Sequence, residues 1–217
     1  MPPLRRHDMA YLGPDATVQA TGVDWSAAAW LGDWLGAGKP LVVTRQERGT
    51  ARARLGAVLP ARLGRRRLAC TVAGSAITRS TPPLPIHEIL AHLPTETARP
   101  LRAFADRAAE LGVAAGVYGS TAWECLAGEP YRSTSSDVDL VCDPPDRGAL
   151  AECLAALARA AEQAPARLDG EFRFPGDQAV AWRELLGTRL APGSRVLAKS
   201  LHDVALVTVG TLMDSLP

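Results

Sequence analysis

The sequence predicts an α+β fold: a mixed sheet with flanking helices, joined to a small N-terminal α+β module. Three observations predict it. After one early helix, short strand-like runs separated by charged or Gly-containing turns fill residues 41–72. From residue 86 onward helical and strand patterns interleave, the order of a sheet covered by helices. Between these stretches lies Thr81-Pro82-Pro83-Leu84-Pro85, the clearest linker, because proline fixes φ and blocks helix and ladder bonding. The chain therefore divides into a module at 1–80 and a larger unit at 86–217.

In order, Trp25–Leu35 reads as a helix, capped by Asp24 or Ser26 and closed by Gly36 or Gly38. Trp30 and Trp34 lie one turn apart on it, a core stripe. Strands follow around Leu41–Arg45, Ala51–Leu59 and Arg67–Val72. Beyond the linker, Ile86–His92 is a short helix and Pro100–Leu111 a longer one, with Pro100 suited to a first turn. Val113–Tyr118 is a buried strand, Thr121–Leu126 begins a helix, and Asp137–Cys142 is a second strand. Gly148–Gln163 is an amphipathic helix with Leu150, Leu154 and Leu157 on one face. Arg167–Phe174 alternates as a strand, and Ala179–Leu186 pairs with it through a Pro175-Gly176-Asp177 turn. Arg195–Leu197 and a final helix at Asp203–Met213 complete the unit.

At 217 residues, 47% of them hydrophobic, the chain can bury a real core. No apolar run approaches a membrane span, and Met1-Pro2-Pro3-Leu4-Arg5-Arg6 lacks the apolar core of a signal peptide. Cys70, Cys125, Cys142 and Cys153 show no metal-ligand spacing, and reduced thiols are expected. These features predict a cytoplasmic protein. The net charge of +1 is unevenly distributed: residues 1–80 hold 12 Lys/Arg against 5 Asp/Glu, residues 81–217 hold 12 against 18. Two readings are open, a basic surface for an anionic partner or solvated faces. With 5% aromatic residues there is little for bases to stack on, so nucleic acid is not the expected partner.

The most informative stretch is Val117-Tyr118-Gly119-Ser120, followed after sixteen residues by Asp137-Val138-Asp139-Leu140-Val141. Side chains two apart on a strand share one face, so Asp137 and Asp139 point the same way. Neighbouring carboxylates repel unless a cation lies between them, and hard oxygen ligands suit Mg²⁺. A Gly-Ser turn at a helix start offers backbone N–H groups and a hydroxyl to an anion. Metal-holding carboxylates beside a phosphate cradle point to phosphoryl or nucleotidyl transfer. The intervening Gly128–Ser136, rich in Gly, Pro and Ser, reads as a loop lengthened over the site.

Two-metal phosphoryl transfer calls for a further carboxylate on a neighbouring strand. Leu168-Asp169-Gly170-Glu171-Phe172 offers Asp169 and Glu171 on one face, Asp169 slightly preferred, with Gly170 permitting close backbone approach. Lys199, one of two lysines in the chain, follows an apolar strand and is a candidate phosphate contact, as is Arg132 in the loop. For His7, a capping or packing role and a ligand contact are both open.

The order Gly-Ser, helix, Asp-hydrophobic-Asp-hydrophobic resembles the nucleotidyltransferase superfamily of the DNA polymerase β type, although the Ser120–Asp137 spacing exceeds that superfamily's commonest one. The whole chain resembles the bacterial holo-acyl-carrier-protein synthases of malonate decarboxylase, the phosphoribosyl-dephospho-CoA transferases. The matching elements are Arg6-His7-Asp8, Gly119-Ser120-Thr121-Ala122-Trp123, Ser136-Asp137-Val138-Asp139-Leu140 and Asp169-Gly170-Glu171. They extend to Ala179-Val180-Ala181-Trp182-Arg183-Glu184 and Val196-Leu197-Ala198-Lys199. The resemblance implies a nucleotidyltransferase-like catalytic unit. It also implies transfer of a phosphoribosyl-dephospho-CoA group from triphosphoribosyl-dephospho-CoA to a serine of an apo acyl-carrier subunit, with release of pyrophosphate. In that scheme Asp137, Asp139 and Asp169 hold Mg²⁺ and carry catalysis, while Gly119, Ser120, Arg132, Glu171 and Lys199 bind substrate. A citrate lyase carrier synthase, another ATP-using nucleotidyltransferase and an inactive nucleotide-binding module are the alternatives.

Overall fold

Two antiparallel-rich sheets, each with its own apolar core, account for the element order of the computed structural model, which describes residues 3–217. Met1 and Pro2, the start of the stretch read for a signal peptide, lie outside the described residues. The first sheet is built from β1 (Met9–Leu12), β2 (Gln19–Thr21), β3 (Leu41–Val43), β4 (Arg52–Val58), β5 (Arg67–Ala73) and β6 (Ile77–Thr81), ordered β2-β5-β4-β3-β1-β6. Helix α1 (Trp25–Gly36) packs on it, capped by Asp24, whose Oδ1 accepts from the Ala27 N–H at 2.9 Å. Trp30 and Trp34 are buried as the stripe predicted, and Trp34 Nε1 donates to the Pro40 carbonyl. The alternation in β4 and β5 buries Ala53, Leu55, Ala57, Leu68, Cys70 and Val72 on one face, each larger side chain contributing about 1.5–3 kcal/mol.

The second sheet begins inside the predicted linker. Leu84–Pro85 (β7) pairs with β8 (Ala114–Tyr118), an edge position where a proline sacrifices no ladder bond. Short helix α2 (Ile86–Ile89), helix α3 (Thr95–Glu110), helix α4 (Gly119–Ala127) and β9 (Val138–Asp143) follow. Helix α5 (Arg147–Gln163) crosses over to β10 (Leu168–Phe174), which runs parallel to β9 as such a crossover requires. Then come β11 (Gln178–Ala181), α6 (Trp182–Thr188), β12 (Arg195–Lys199), β13 (Val204–Thr208) and α7 (Val209–Ser215), giving the order β13-β12-β11-β10-β9-β8-β7. Val138, Leu140, Cys142, Leu168, Phe172, Phe174 and Val180 enter the core beneath α3 and α5. The alternate residues of β9 and β10 carry the charged groups, so one sheet face is apolar and the other polar. All four cysteines stand as free thiols. Among the described residues no helix is long and apolar enough to cross a membrane.

Three predicted elements differ. The helix placed at Pro100 starts a turn earlier, at Thr95, with Pro100 inside it; burial of Thr97, Leu101, Phe104 and Ala108 along one face outweighs the missing proline N–H. The run placed at Ala179–Leu186 pairs with β10 only through Ala181, because buried Trp182 turns the chain into α6. The final helix expected at Asp203–Met213 is a strand through Thr208. Ser200–Asp203 closes a tight turn, and the β-branched run from Val204 pairs along the whole of β12. Only Val209–Ser215 is helical, capped by Thr208.

The two sheets are locked together. Trp123 of α4 and Tyr131 enter the first sheet's core, with Trp123 4.9 Å from Trp34 between ring centroids. Ion pairs also cross from the first unit to the second: Arg5–Asp143, Arg6–Glu171, Arg48–Asp203 and Arg62–Glu129. Part of the positive surplus of residues 1–80 thus neutralises the acidic second unit, a third outcome beside an anionic partner and solvated faces.

Candidate active site

The polar face of β8, β9 and β10 gathers the predicted carboxylates. Strand β8 ends at Tyr118, which stands opposite Asp139 in the β8–β9 ladder, and the chain then turns through Gly119 into α4. Gly119 has φ +69°, and a Cβ placed on it would lie 1.9 Å from Asp139 Oδ2. Only glycine allows the helix start to approach the carboxylate this closely. Ser120 follows, partly exposed, at the second position of the helix.

Asp139 is also in register with Asp169 across the parallel β9–β10 pair. Adjacent strands lie about 4.8 Å apart, so the two carboxylates are neighbours. Asp137 lies one repeat before Asp139, at the mouth of the strand. Gly170 makes the pairing possible: a Cβ there would fall 2.0 Å from the Leu140 carbonyl oxygen. Burial, then the charges of Asp169 and Asp137, push the Asp139 carboxyl up to about 6. Arg167, which the sequence reading passed over, bridges Asp137 at 3.5 Å and Asp169 at 3.3 Å from its exposed position. Among the described residues, the carboxylates do not close into a ready-made three-ligand metal cage.

Glu171, two residues beyond Asp169 on the same face, has a different environment. Its side chain is 6% exposed and is engaged by Lys199 Nζ at 3.0 Å, Arg6 Nη1 at 3.3 Å and His7 Nε2 at 3.3 Å. Burial alone would raise its pKa, but the His7 hydrogen bond and the Arg6 and Lys199 charges prevail and hold it at about 2. Burial lowers the pKa of His7 against the pull of Glu171, and the His7 ring stacks on Tyr118 with centroids 3.9 Å apart. His7 thus takes the packing role of the two open readings, stacked on Tyr118 and hydrogen-bonded to Glu171. One repeat further, Arg173 is buried between Asp143 (2.5 and 2.9 Å) and Asp8 (2.8 Å), with Arg5 also on Asp143. The segment Arg5–Asp8 therefore lies across the polar face of β9 and β10. Arg173 and Asp143 were missed, yet the alternation that groups Asp137 with Asp139, and Asp169 with Glu171, places both on this face.

Arg132 lies in the predicted loop, but its guanidinium is engaged by Glu124 of α4 (Nε at 2.9 Å) and by the His92 carbonyl. Glu124 also accepts from the Tyr131 and Arg132 N–H groups, so it anchors this loop to α4. From the first unit, Arg65 donates to the Tyr131 and Arg132 carbonyls.

A glycine-seated helix start against paired carboxylates is an arrangement suited to phosphoryl-group chemistry. Two family models match the chain. The phosphoribosyl-dephospho-CoA transferase MdcG C-terminal domain covers residues 84–210, and the N-terminal domain of the same family covers residues 5–83. Relatives named phosphoribosyl-dephospho-CoA transferase include one from Xanthomonas axonopodis pv. citri, 35% identical over 206 residues and 93% of each chain. One from Xanthomonas euvesicatoria pv. vesicatoria is 36% identical with the same coverage. A third, from Bradyrhizobium diazoefficiens, is 30% identical over 94% of this chain and 90% of its own. No solved structure matches. Matched by both domain models and by relatives along nearly its whole length, the chain belongs to the phosphoribosyl-dephospho-CoA transferases and is a transferase enzyme.

Proposed function

We propose that the enzyme moves the phosphoribosyl-dephospho-CoA group from 2′-(5″-triphosphoribosyl)-3′-dephospho-CoA to a serine of the apo acyl-carrier subunit of malonate decarboxylase. The observation that carries this reading is the contact of the Gly119 turn with Asp139, itself facing Asp169: an anion cradle touching an acid cluster. The choice of acceptor follows the family resemblance. In the reaction the serine oxygen forms a bond to the α-phosphorus, the bond from that phosphorus to the bridging oxygen of the diphosphate breaks, and diphosphate leaves.

Asp137, Asp139 and Asp169 would hold Mg²⁺. The donor set fits, being hard oxygen with mutual repulsion that raises Asp139. Mg²⁺ commonly takes one or two carboxylates and completes its shell with substrate phosphates and water, so a closed protein cage is not required. When bound, the ion neutralises charge on the phosphates and on the attacking oxygen. The chain's own groups do the rest. The N–H groups and hydroxyl of the Gly119-Ser120 turn orient the anionic donor, and Asp169 orients the acceptor hydroxyl and takes its proton. Catalysis is then positioning plus electrostatics, as phosphoryl transfer demands.

Intact mass spectrometry of the purified apo carrier, incubated with enzyme, Mg²⁺ and the triphosphate donor, tests the proposal. A mass gain equal to the phosphoribosyl-dephospho-CoA group, lost when the acceptor serine is replaced by alanine, is expected. An unmodified carrier under these conditions contradicts the reading.

A further inference from the structure

Glu171 is surrounded by more positive charge than one carboxylate needs. Arg6 from the N-terminal unit and Lys199 from β12 both reach it, at 3.3 and 3.0 Å, and His7 adds a hydrogen bond. Two permanent cations on this one anion exceed its charge by one, and they stand beside the acid cluster of Asp137, Asp139 and Asp169, which Arg167 alone offsets in part. The neighbouring pairs are otherwise committed, Arg173 and Arg5 to Asp143 and Asp8. The Lys199 side chain is 36% exposed and that of Arg6 14%, against 6% for Glu171, so both cationic side chains are more open to solvent than their anchor. Glu171 follows Asp169 by two residues on one strand face, about 7 Å along the strand. A polyphosphate lying along β10 with one phosphate at the Asp139–Asp169 pair would bring the next phosphates to Lys199 and Arg6. His7 stacks on Tyr118, which leads directly into the Gly119 turn, so the same N-terminal segment braces both ends of this path.

We propose that Arg6 and Lys199 form the diphosphate-binding end of the site, held in place by Glu171 as a positioning residue, so that the N-terminal unit completes the site. This rests on the transfer reading above for its donor, and it deepens that reading. Arg6 supplies a planar fork and Lys199 a mobile point charge, a combination suited to adjacent phosphate groups. Glu171 fixes both cations before the anion arrives, which removes the ordering entropy from the binding step.

Titration calorimetry of the full chain with inorganic diphosphate and Mg²⁺ tests this without donor or carrier. Arg6→Ala and Lys199→Ala should each weaken diphosphate binding about tenfold or more, the loss of a charge-assisted hydrogen bond. Arg6→Lys should recover part of it. Glu171→Gln separates positioning from simple charge: removing an anion would tighten diphosphate if Glu171 merely repelled it, whereas release of the two cations weakens it. In turnover, the same variants should raise the KM for the donor and the inhibition constant of diphosphate together, leaving the KM for the carrier unchanged. Wild-type enzyme that does not bind diphosphate, alanine variants that bind it as wild type does, or tighter binding by Glu171→Gln overturns the proposal. Should Arg6→Ala not fold, Lys199→Ala, with less buried contact to lose, decides it. Diphosphate binding through these residues in a chain that modifies no carrier would retain the inference and reject the acceptor.

Discussion

Gly119 and Asp139 meet so closely that a methyl group on the glycine would overlap a carboxylate oxygen, at 1.9 Å. The helix start and the acid pair are one structural unit. Gly119→Ala faces that overlap as well as a φ of +69°, strain of order 1–3 kcal/mol. Activity should fall by about a hundredfold, the scale of losing an oriented electrostatic contact. A lower melting temperature should accompany it. Wild-type kcat/KM in this variant would show that the turn does not need its present approach.

Asp137→Asn and Asp139→Asn keep side-chain shape and remove charge. Each should reduce transfer about a hundredfold or more. Because Asp139 is pushed up to about 6 by burial and by its two acidic neighbours, its replacement should leave stability unchanged or raise it. Circular dichroism and thermal melts on the purified variants check the second half, and retention of more than roughly a tenth of the rate counts against the first.

Acid should act through Glu171. Its folded pKa of about 2 lies below the ordinary 4.5, so its stabilising contribution is present above pH 4.5 and is lost as pH falls toward 2. The wild-type free energy of unfolding should drop across that window by an amount on the order of 3 kcal/mol attributable to this group. Glu171→Gln, less stable at neutral pH, should show a shallower decline over the same window. Parallel acid-unfolding curves for the two proteins would contradict the assignment.

Arg132 illustrates what a sequence conceals. Its place in a Gly/Pro/Ser loop near the acid motif suggested a phosphate ligand, but its guanidinium bonds to Glu124 and the His92 carbonyl. Arg132→Ala should therefore lower the melting temperature and loosen residues 128–136 toward protease, with diphosphate affinity little changed. A selective loss of diphosphate affinity would restore the ligand role.

The acids were legible because strand alternation and the Gly-Ser turn are local patterns: Asp137 with Asp139, and Asp169 with Glu171, follow from spacing two. Gly170 was likewise read as permitting close approach, and the Leu140 carbonyl occupies the space a side chain would need. What escaped was long-range. Nothing near Arg6 announces that its partner is Glu171, 165 residues away, or that Arg173 joins Asp143 to Asp8. Val204–Thr208 is a strand where the local pattern predicts helix, because its identity depends on pairing with β12, a tertiary choice that local propensity does not decide.

In the proposed reaction the Asp137/Asp139/Asp169 cluster, loaded with Mg²⁺, supports transfer of a phosphoryl-linked group to a carrier serine. Stoichiometric diphosphate release, measured alongside carrier modification, decides whether it does. Wild-type enzyme should release one diphosphate per modified serine, stop with excess EDTA and resume with Mg²⁺, while Asp139→Asn releases almost none. Diphosphate release that continues undiminished in metal-free buffer, or that proceeds without the carrier serine, would contradict the account.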